Sequence, residues 1–262
     1  MGAFIFTNMT KKYELTDEVK CLDNNITLHR IKALRDFGNV KAGDLGGYIE
    51  SEDNLSQWGL SWVGDAACVY ANARVRTSAV VSGDAHVFGK ASVQGSAHVF
   101  ENAKVCGDAV VEGCCQIYGC AKIQDDAWIT DSAHVYDNAE VSGSAWARDC
   151  AEIQGDAIVT GSSYVGGIAA IGGDVTLVSG QIVGKACVFN NHEHCGFDCF
   201  GSENRHTHAY ITSDNSIEIT CGCFTGTIDE FEAAVHKTHA GNRCEKEYMA
   251  IIEVIKIKFK HD

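Results

Sequence analysis

One stretch decides the fold: Val81-Ser82-Gly83-Asp84-Ala85-His86-Val87, a single copy of a six-residue repeat. From Val63 to about Phe189 a branched aliphatic residue returns at every sixth position with no insertion, and Ala147 alone departs from the pattern. A small residue, usually alanine, lies two positions before each branched one. A short fixed period is typical of solenoids, in which each unit buries its apolar face by stacking on its neighbours. The sequence therefore predicts one long solenoid.

The repeat also predicts which side chains point inward. Successive side chains alternate across a strand, so the small and branched positions face the core, and neighbours such as Ser82 and His86 face outward. Gly83-Asp84 forms a corner, and other copies place Gly, Asp or Asn there, residues that tolerate left-handed backbone geometry. Glu101-Asn102 fits this requirement least well.

Composition limits the possible partners. The 262-residue chain is long enough to bury a sizeable core, as one elongated domain with an appendage or as two domains. Its formal charge of -14 argues against binding extended nucleic acid. We expect neither a signal peptide nor a membrane span. The 13 cysteines are accordingly expected to be mostly reduced, in the cytoplasm of a bacterial host.

Three regions follow from where the repeat begins and ends. Residues 1–60 lie outside it, and alternating runs at 12–15 and 27–34, parted by Asp23-Asn24-Asn25, predict a β-hairpin layer. Such a layer would cap the open strand edges of the solenoid. Residues 61–190 form the solenoid itself, and residues 191–262 form a separate module.

The C-terminal module reads as α+β. Residues 208–211 and 216–220 predict two strands around the turn-forming Ser213-Asp214-Asn215. Thr227 with Glu230 three residues later makes a capping box, which predicts a helix that ends near Gly241. Residues 245 to about 259 carry apolar side chains on one helical face and predict a second helix.

The hexapeptides resemble those of left-handed parallel β-helices, the triangular prisms of bacterial acyltransferases and γ-class carbonic anhydrases. The resemblance implies three hexapeptides per coil, left-handed winding and frequent homotrimers. We therefore predict a mainly β fold: a left-handed parallel β-helix, or hexapeptide solenoid, with a small β N-terminal cap and a small α+β C-terminal module.

Two further segments resemble uncharacterised phage and prophage β-helix proteins of Gram-positive bacteria. They are residues 40–47 together with Leu55-Ser56-Gln57, and residues 221–231. The resemblance covers nearly the whole chain and supplies no established activity. It implies a phage or prophage setting, in which small non-catalytic proteins often bind host factors or sequester signalling nucleotides.

Outward aromatic residues recur at steps of eighteen, the length of one predicted coil. At a strand spacing of about 4.8 Å their rings would lie close enough to stack. They either stabilise the sheets through β propensity or form apolar faces that bind another subunit or a partner. The sets are Phe100, Tyr118 and Tyr136 on one face, Trp128, Trp146 and Tyr164 on a second, and Tyr70 with Phe88.

Our leading hypothesis from sequence is a non-catalytic homotrimer. Grooves between its subunits, or its C-terminal modules, would bind a host protein or sequester a small anionic, nucleotide-like ligand and so act against antiviral defence. The aromatic ladders would supply stacking platforms for such a ligand. The basic residues available to it are Arg74, Arg76, Lys104, Lys122 and Arg148. A structural or assembly spacer is a third hypothesis.

The alternative hypothesis is an acyltransferase that uses acyl-CoA. It requires a catalytic base, for which His86, His98 and His134 are candidates. The unbroken register leaves no loop that could shape an acyl-CoA site. His98 and His134 lie two coils apart, about 9.6 Å on strand spacing, which is too far for both to bind one zinc ion.

Cysteines and histidines cluster where the repeat stops, near Asn190. Structural zinc sites prefer two to four residues between paired cysteines, whereas Cys221 and Cys223 have one residue between them. We therefore favour buried or bystander side chains over a metal site, and we predict no cofactor. The weak candidates for zinc ligands are Cys195, Cys199, Cys221, Cys223, His206 and His208.

Overall fold

The computed structural model describes residues 11–23 and 25–260, and every structural statement below concerns those ranges. A run of two-residue strands, one per hexapeptide, forms the solenoid. The strands are β4 (Trp62–Val63), β5 (Cys68–Val69), β6 (Arg74–Val75), β7 (Val80–Val81), β8 (His86–Val87), β9 (Ser92–Val93), β10 (His98–Val99), β11 (Lys104–Val105), β12 (Val110–Val111), β13 (Gln116–Ile117), β14 (Lys122–Ile123), β15 (Trp128–Ile129), β16 (His134–Val135), β17 (Glu140–Val141), β18 (Trp146–Ala147), β19 (Glu152–Ile153), β20 (Ile158–Val159), β21 (Tyr164–Val165), β22 (Ala170–Ile171), β23 (Thr176–Leu177), β24 (Gln181–Ile182) and β25 (Cys187–Val188).

Three parallel sheets form the sides of this solenoid. Each strand pairs with the strands three before and three after it, so His98 lies between Val80 and Gln116. The predicted fold class, a mainly β protein built on a parallel β-helix of hexapeptides, is confirmed. We name the sheets the tyrosine face (β4, β7, β10, β13, β16, β19, β22, β25), the tryptophan face (β6, β9, β12, β15, β18, β21, β24) and the cap face (β5, β8, β11, β14, β17, β20, β23).

The interior is the apolar column that the repeat predicts. Ala109 and Ile123 have no exposed surface, and the same holds for nearly every residue in their two positions of the repeat. Ile123 on β14 pairs with Val105 on one side and Val141 on the other. Each coil therefore buries its apolar groups against equivalent groups of the coils above and below, which is the main source of solenoid stability.

The six-residue register does not continue to Phe189, and this part of the prediction is wrong. After Leu177 the next buried branched residue is Ile182, while Val183 is only partly buried. Tyr164 accordingly pairs with Gln181, seventeen residues later. The corner that precedes β24 is one residue shorter than the others, and it is closed by Gly180 at a φ of 94°.

The N-terminal cap extends the cap face. Antiparallel β1 (Tyr13–Cys21) and β2 (Thr27–Ala33) form the predicted hairpin, and β3 (Leu45–Ile49) joins β2 to β5. The short helix η1 (Glu52–Asn54) follows. Tyr13 is fully buried and its hydroxyl donates to Leu55 O at 2.7 Å. Residues 1–10 of the predicted cap and Asn24 of its turn lie outside the described residues.

The C-terminal module is an antiparallel sheet of four strands covered by two helices. The predicted hairpin and both predicted helices are present, whereas the first and last strands of the sheet were not predicted. Neither helix is long and apolar enough to cross a membrane, nor is any other helix of the described chain. The elements are β26 (His194–Phe200), β27 (Arg205–Ile211), β28 (Ile217–Cys221), β29 (Phe224–Thr227), α1 (Ile228–His239) and α2 (Arg243–Lys258).

The two faces of this sheet pack against different partners. Cys221 and Ala209 join the helices in a separate core around Phe231 and Ile252. Tyr210 points the other way and is fully buried in the core of the solenoid. The module therefore closes the C-terminal end of the solenoid, in the way that the hairpin layer closes the other end.

Corner residues with left-handed backbone provide a stability prediction. Thr77 has a φ of 62° although its β-branched side chain disfavours that region, and its side chain makes no hydrogen bond within the described chain. Thr77→Gly should therefore raise the free energy of unfolding by about 1 kcal/mol. Equilibrium unfolding in urea measures this change.

Glu101→Gly is the matched control for that substitution. Glu101 has a φ of 58°, but its Oε2 accepts a hydrogen bond from Gly119 N at 2.9 Å. Relief of backbone strain and loss of about 0.5–1.5 kcal/mol of hydrogen bonding should nearly cancel. A Thr77→Gly protein less stable than the wild type would contradict the assignment of strain to this corner.

Candidate functional site

The tyrosine face carries the ladder that the sequence predicts. Phe100 and Tyr118 stack with ring centroids 5.0 Å apart and an interplanar angle of 11°. Tyr118 and Tyr136 stack at 4.9 Å and 1°. The rings are half-buried by one another, so an exposed strip of aromatic edges runs along this face. On the cap face Tyr70 and Phe88 form a similar pair at 5.1 Å and 3°.

The tryptophan face carries a second ladder that leads toward the C-terminal module. Trp128 and Trp146 have ring centroids 4.8 Å apart and a tilt of 56°. Trp146 pairs in turn with Tyr164 on the next strand. Trp146 is 40% exposed, and the indole Nε1 of Trp128 is covered but has no hydrogen-bond partner within the described chain.

The basic residues proposed to bind an anion do not gather around these rings. Arg148 lies beside Trp128 and Trp146, but its Nε is 3.4 Å from Asp149 Oδ1 and 3.6 Å from Asp131 Oδ2. Arg74 is on the same face, three strands before Trp128, which corresponds to about 14 Å. Arg76 lies two residues after Arg74, near the N-terminal end of the solenoid. A compact ligand cannot contact both Arg74 and the tryptophans.

The three candidate bases also lie apart. His98 and His134 are on the tyrosine face with Gln116 between them. His86 is on the cap face, where burial and then the charges of Lys20 and Lys104 lower its pKa. The three histidines therefore do not form one site within a single chain.

The candidate zinc ligands are divided between the two sides of the C-terminal sheet. Cys195 and Cys221 face the helices and pack in their core. His206 and His208 face the solenoid, as do alternate residues of the neighbouring strands. Side chains on opposite faces of one sheet cannot surround a single ion. Within the described ranges, no group of three or more His, Cys, Asp or Glu side chains is arranged to hold a metal.

A pocket of about 300 Å³ lies where the tryptophan face meets the C-terminal sheet, and we call it the junction pocket. Thr220 Oγ1 donates to Gln181 O at 2.8 Å and so joins the two walls. Tyr164, the last ring of the tryptophan ladder, forms part of the solenoid wall. The lining residues are Ser162, Tyr164, Ser179, Gly180 and Gln181 from the solenoid, with Asp198, Arg205, His206, Thr220 and Gly222 from the module.

A row of three histidines runs from this pocket into the interface, and we call it the histidine row. His206 Nε2 is 3.1 Å from His208 Nδ1, and His208 Nε2 is 3.1 Å from His194 Nδ1. At the pocket end His206 Nδ1 makes a short contact with Asp198 Oδ1. At the far end His194 Nε2 is 3.4 Å from Asn191 Oδ1. Imidazole nitrogens and two oxygen acceptors thus form one continuous hydrogen-bonded chain.

Two glycines leave room for this row. A Cβ at Gly180 would lie 2.3 Å from His206 Nε2, and one at Gly196 would lie 2.7 Å from His206 Cε1. The solenoid corner and strand β26 therefore approach the His206–His208 contact from two sides. His208 is almost completely buried, and burial lowers its pKa to about 3, with the neighbouring histidines adding to the effect. His208 is accordingly neutral at physiological pH.

The pocket contains a serine, a histidine and an aspartate, but they do not form a hydrolytic triad. In such a triad the carboxylate and the hydroxyl contact opposite nitrogens of the imidazole. Here Asp198 Oδ1 and Ser179 Oγ, the latter at 3.5 Å, both face His206 Nδ1. His206 is therefore positioned to make hydrogen bonds, and Ser179 is not positioned for activation as a nucleophile.

Sequence reasoning found some of these residues and missed others. It named His206 and His208 as weak zinc ligands and Tyr164 as part of a ladder, but it assigned no role to Asp198 or Arg205. The available signal was the alternation in His194-x-Gly196-x-Asp198 and His206-x-His208, which places polar or small residues on one face of two strands.

Comparisons with known proteins give a limited similarity. No family model matches the chain. A segment of 90 residues is 30% identical to a protein of Escherichia coli (strain K12) described as "Uncharacterized acetyltransferase YdcK". The match covers 29% of this chain and 28% of that protein, so the chain spans less than a third of that relative's length. The similarity is thus to an acetyltransferase-like protein whose own description calls it uncharacterised.

Proposed function

We propose that the chain is a binding protein that holds a small anionic, nucleotide-like ligand in the junction pocket. The observation that carries this proposal is the convergence there of an aromatic ring, a guanidinium and a hydrogen-bonded histidine from two separate parts of the chain. Tyr164 offers a stacking surface, and Arg205 and His206 offer donors for an anionic group.

Arg205 and His206 are each paired with a carboxylate that a ligand can replace. Arg205 Nε donates to Glu203 Oε2 at 3.1 Å, and Glu203 is 65% exposed. Asp198, the partner of His206, is 64% exposed. Exposed ion pairs contribute little to stability, so exchange of either carboxylate for a ligand anion costs the protein little.

The assembly and setting belong to the same proposal. We propose a homotrimer in which the tyrosine or tryptophan face packs against a neighbouring subunit, because each presents a continuous apolar strip. Light scattering at micromolar concentration should give three times the chain mass, and a monomer mass would contradict the trimer. The resemblance to prophage proteins supports a role in the cytoplasm of a bacterial host, where sequestering a signalling nucleotide or binding a host protein would blunt antiviral defence.

Loss of the stacking surface should weaken ligand binding. A thermal-shift screen of mono-, di- and cyclic nucleotides and ADP-ribose should identify a ligand that stabilises the wild type. Tyr164→Ala should then raise the Kd for that ligand by roughly tenfold or more, since stacking on one ring contributes about 1–3 kcal/mol. Isothermal titration calorimetry measures the change.

Tyr118→Ala is the matched control, because it removes the same kind of ring from the solenoid surface, on the tyrosine face and not in the lining of the junction pocket. Its Kd should equal that of the wild type. Absence of a thermal shift for every nucleotide in the screen would contradict a nucleotide-like ligand. Equal losses in the two variants would place the ligand outside the junction pocket.

Acyl transfer is the second candidate function, and the partial similarity to an acetyltransferase-like protein favours it. In this case an acceptor in the junction pocket would displace Asp198 from His206, and His206 Nδ1, without its proton, would act as the base toward that acceptor. Incubation with acetyl-CoA and a panel of amines should release free thiol in proportion to enzyme, and His206→Gln should abolish the release. Absence of thiol release, together with no thermal shift on addition of CoA, would exclude this function.

A further inference from the structure

We propose that a second pocket, inside the C-terminal module, binds a small carboxylic acid with an apolar body. The pocket has a volume of about 280 Å³ and lies between helix α1 and the turn that joins β28 to β29, and we call it the helix pocket. Arg205 lines both this pocket and the junction pocket, whereas their other lining residues differ. The residues that define the helix pocket are Arg205, Phe224, Phe231, Ala234, His239 and Tyr248.

The floor of the helix pocket is a row of rings. Phe224 and Phe231 have ring centroids 5.1 Å apart at a tilt of 48°, and Tyr248 meets Phe231 edge to face at 5.6 Å. The ring of His239 lies 5.6 Å from that of Tyr248. Phe231 and Tyr248 belong to the buried core of the module, which fixes their positions. Such a surface binds the apolar body of a ligand by removing it from water.

Arg205 adds a permanent positive charge beside this floor. Alternation along β27 puts Arg205 on the same side of the sheet as Thr207 and Ala209, which face the helix core. The guanidinium lies against Gly222, where a Cβ would be 2.6 Å from Nη1 and 3.1 Å from Cζ of Arg205. The turn between β28 and β29 therefore leaves the space that the guanidinium occupies.

Glu203 occupies the position that the acid group of the ligand would take. Its Oε2 accepts hydrogen bonds from Arg205 Nε at 3.1 Å and Nη2 at 2.5 Å, although Glu203 itself is 65% exposed. The carboxylate of a ligand can use both of its oxygens against the same edge of the guanidinium, the parallel arrangement that arginine favours. It also brings apolar surface to the rings, which Glu203 does not. An uncharged ligand gains the apolar contact alone.

A fluorescence titration of the full-length protein with 2-naphthoate tests the class of ligand. We expect saturable binding, and a Kd roughly tenfold higher or more for the uncharged 2-naphthamide, because the amide lacks the charge-assisted pair. Arg205→Gln should raise the Kd for 2-naphthoate to that for 2-naphthamide and leave the latter unchanged. Absence of saturable binding of 2-naphthoate would overturn the proposal, and equal Kd values for the two probes in the wild type would overturn the acid as its ligand.

Filling the helix pocket tests the location of the site. Ala234→Phe puts a ring into the pocket and should raise the Kd for 2-naphthoate by roughly tenfold or more. Ala233→Phe is the matched control, since Ala233 is the exposed neighbour on the same helix and lies outside the lining. Ala234 does not line the junction pocket, so this result is independent of any nucleotide bound there. Equal Kd values for the two variants, both with wild-type ellipticity at 222 nm, would overturn the site.

A measurement on the wild-type protein excludes effects of substitution on folding. Cys223 is an exposed thiol in the lining of the helix pocket, and Cys150 is an exposed thiol on the solenoid. At ten times its Kd, 2-naphthoate should slow alkylation of Cys223 by iodoacetamide about tenfold, because that thiol reacts only in the free protein. The rate at Cys150 should not change, and peptide mass spectrometry follows both. An unchanged rate at Cys223 would overturn the placement of the acid in the helix pocket.

Discussion

Replacing Ile123 with alanine is expected to lower the free energy of unfolding by about 2–5 kcal/mol. Ile123 has no exposed surface and lies between Val105 and Val141 in the interior of the solenoid. Removing its outer carbons loses their burial and leaves a cavity. The cavity cannot collapse, because the backbone hydrogen bonds on both sides, such as Cys106 N to Ile123 O at 2.9 Å, fix the spacing of the coils.

Lys122→Ala provides the matched control for this prediction. Lys122 precedes Ile123 on the same strand, but its side chain is exposed on the cap face. Its loss should change the free energy of unfolding by less than about 0.5 kcal/mol. Urea titrations of both variants, followed by circular dichroism, give the two changes in the free energy of unfolding. The two changes can be compared when the m-values of the unfolding curves agree. A cost below 1 kcal/mol for Ile123→Ala would contradict its place in a rigid, close-packed column.

The solenoid could be predicted from sequence because its determinants are local and repeated. Six-residue spacing and strand alternation place Ala109 and Ile123 inward without any knowledge of distant contacts. The same local pattern fails at the last coil, where Ile182 and Val183 are both branched and either could occupy the inward position. The choice is made by the shortened corner at Gly180, which packs against His206 and His208 from a strand that follows later.

The junction pocket could not be predicted because two distant segments form it. Tyr164 and Ser179 belong to the solenoid, whereas Asp198 and Arg205 belong to a hairpin that the sequence did not identify. As long as strand β26 is not assigned, the cysteines and histidines near residue 200 form a single cluster in the sequence. Once β26, β27 and β28 are assigned, alternation places Cys195 and Cys221 on the side of the helices and His206 and His208 on the side of the solenoid.

Acid should destabilise the C-terminal module through His208. An unfolded histidine takes up a proton near pH 6.5, whereas burial lowers the pKa of His208 in the folded protein to about 3. Between these two values the unfolded chain binds one proton more than the folded chain. The contribution of His208 to stability is therefore complete above pH 6.5 and is lost as the pH falls toward 3. The expected slope is up to about 1.4 kcal/mol per pH unit.

The slope that belongs to His208 can be isolated by comparing variants. The two α-helices of the described chain, α1 and α2, both lie in the module, so ellipticity at 222 nm during urea unfolding follows the module. His208→Gln removes the titrating group but keeps a hydrogen-bonding side chain, so its free energy of unfolding should fall less steeply between pH 6.5 and 3. His192→Gln, at an exposed position nearby, should keep the wild-type slope. Parallel pH profiles for the wild type and His208→Gln would mean that His208 is protonated in the folded protein. The neutral centre of the histidine row would then be wrong.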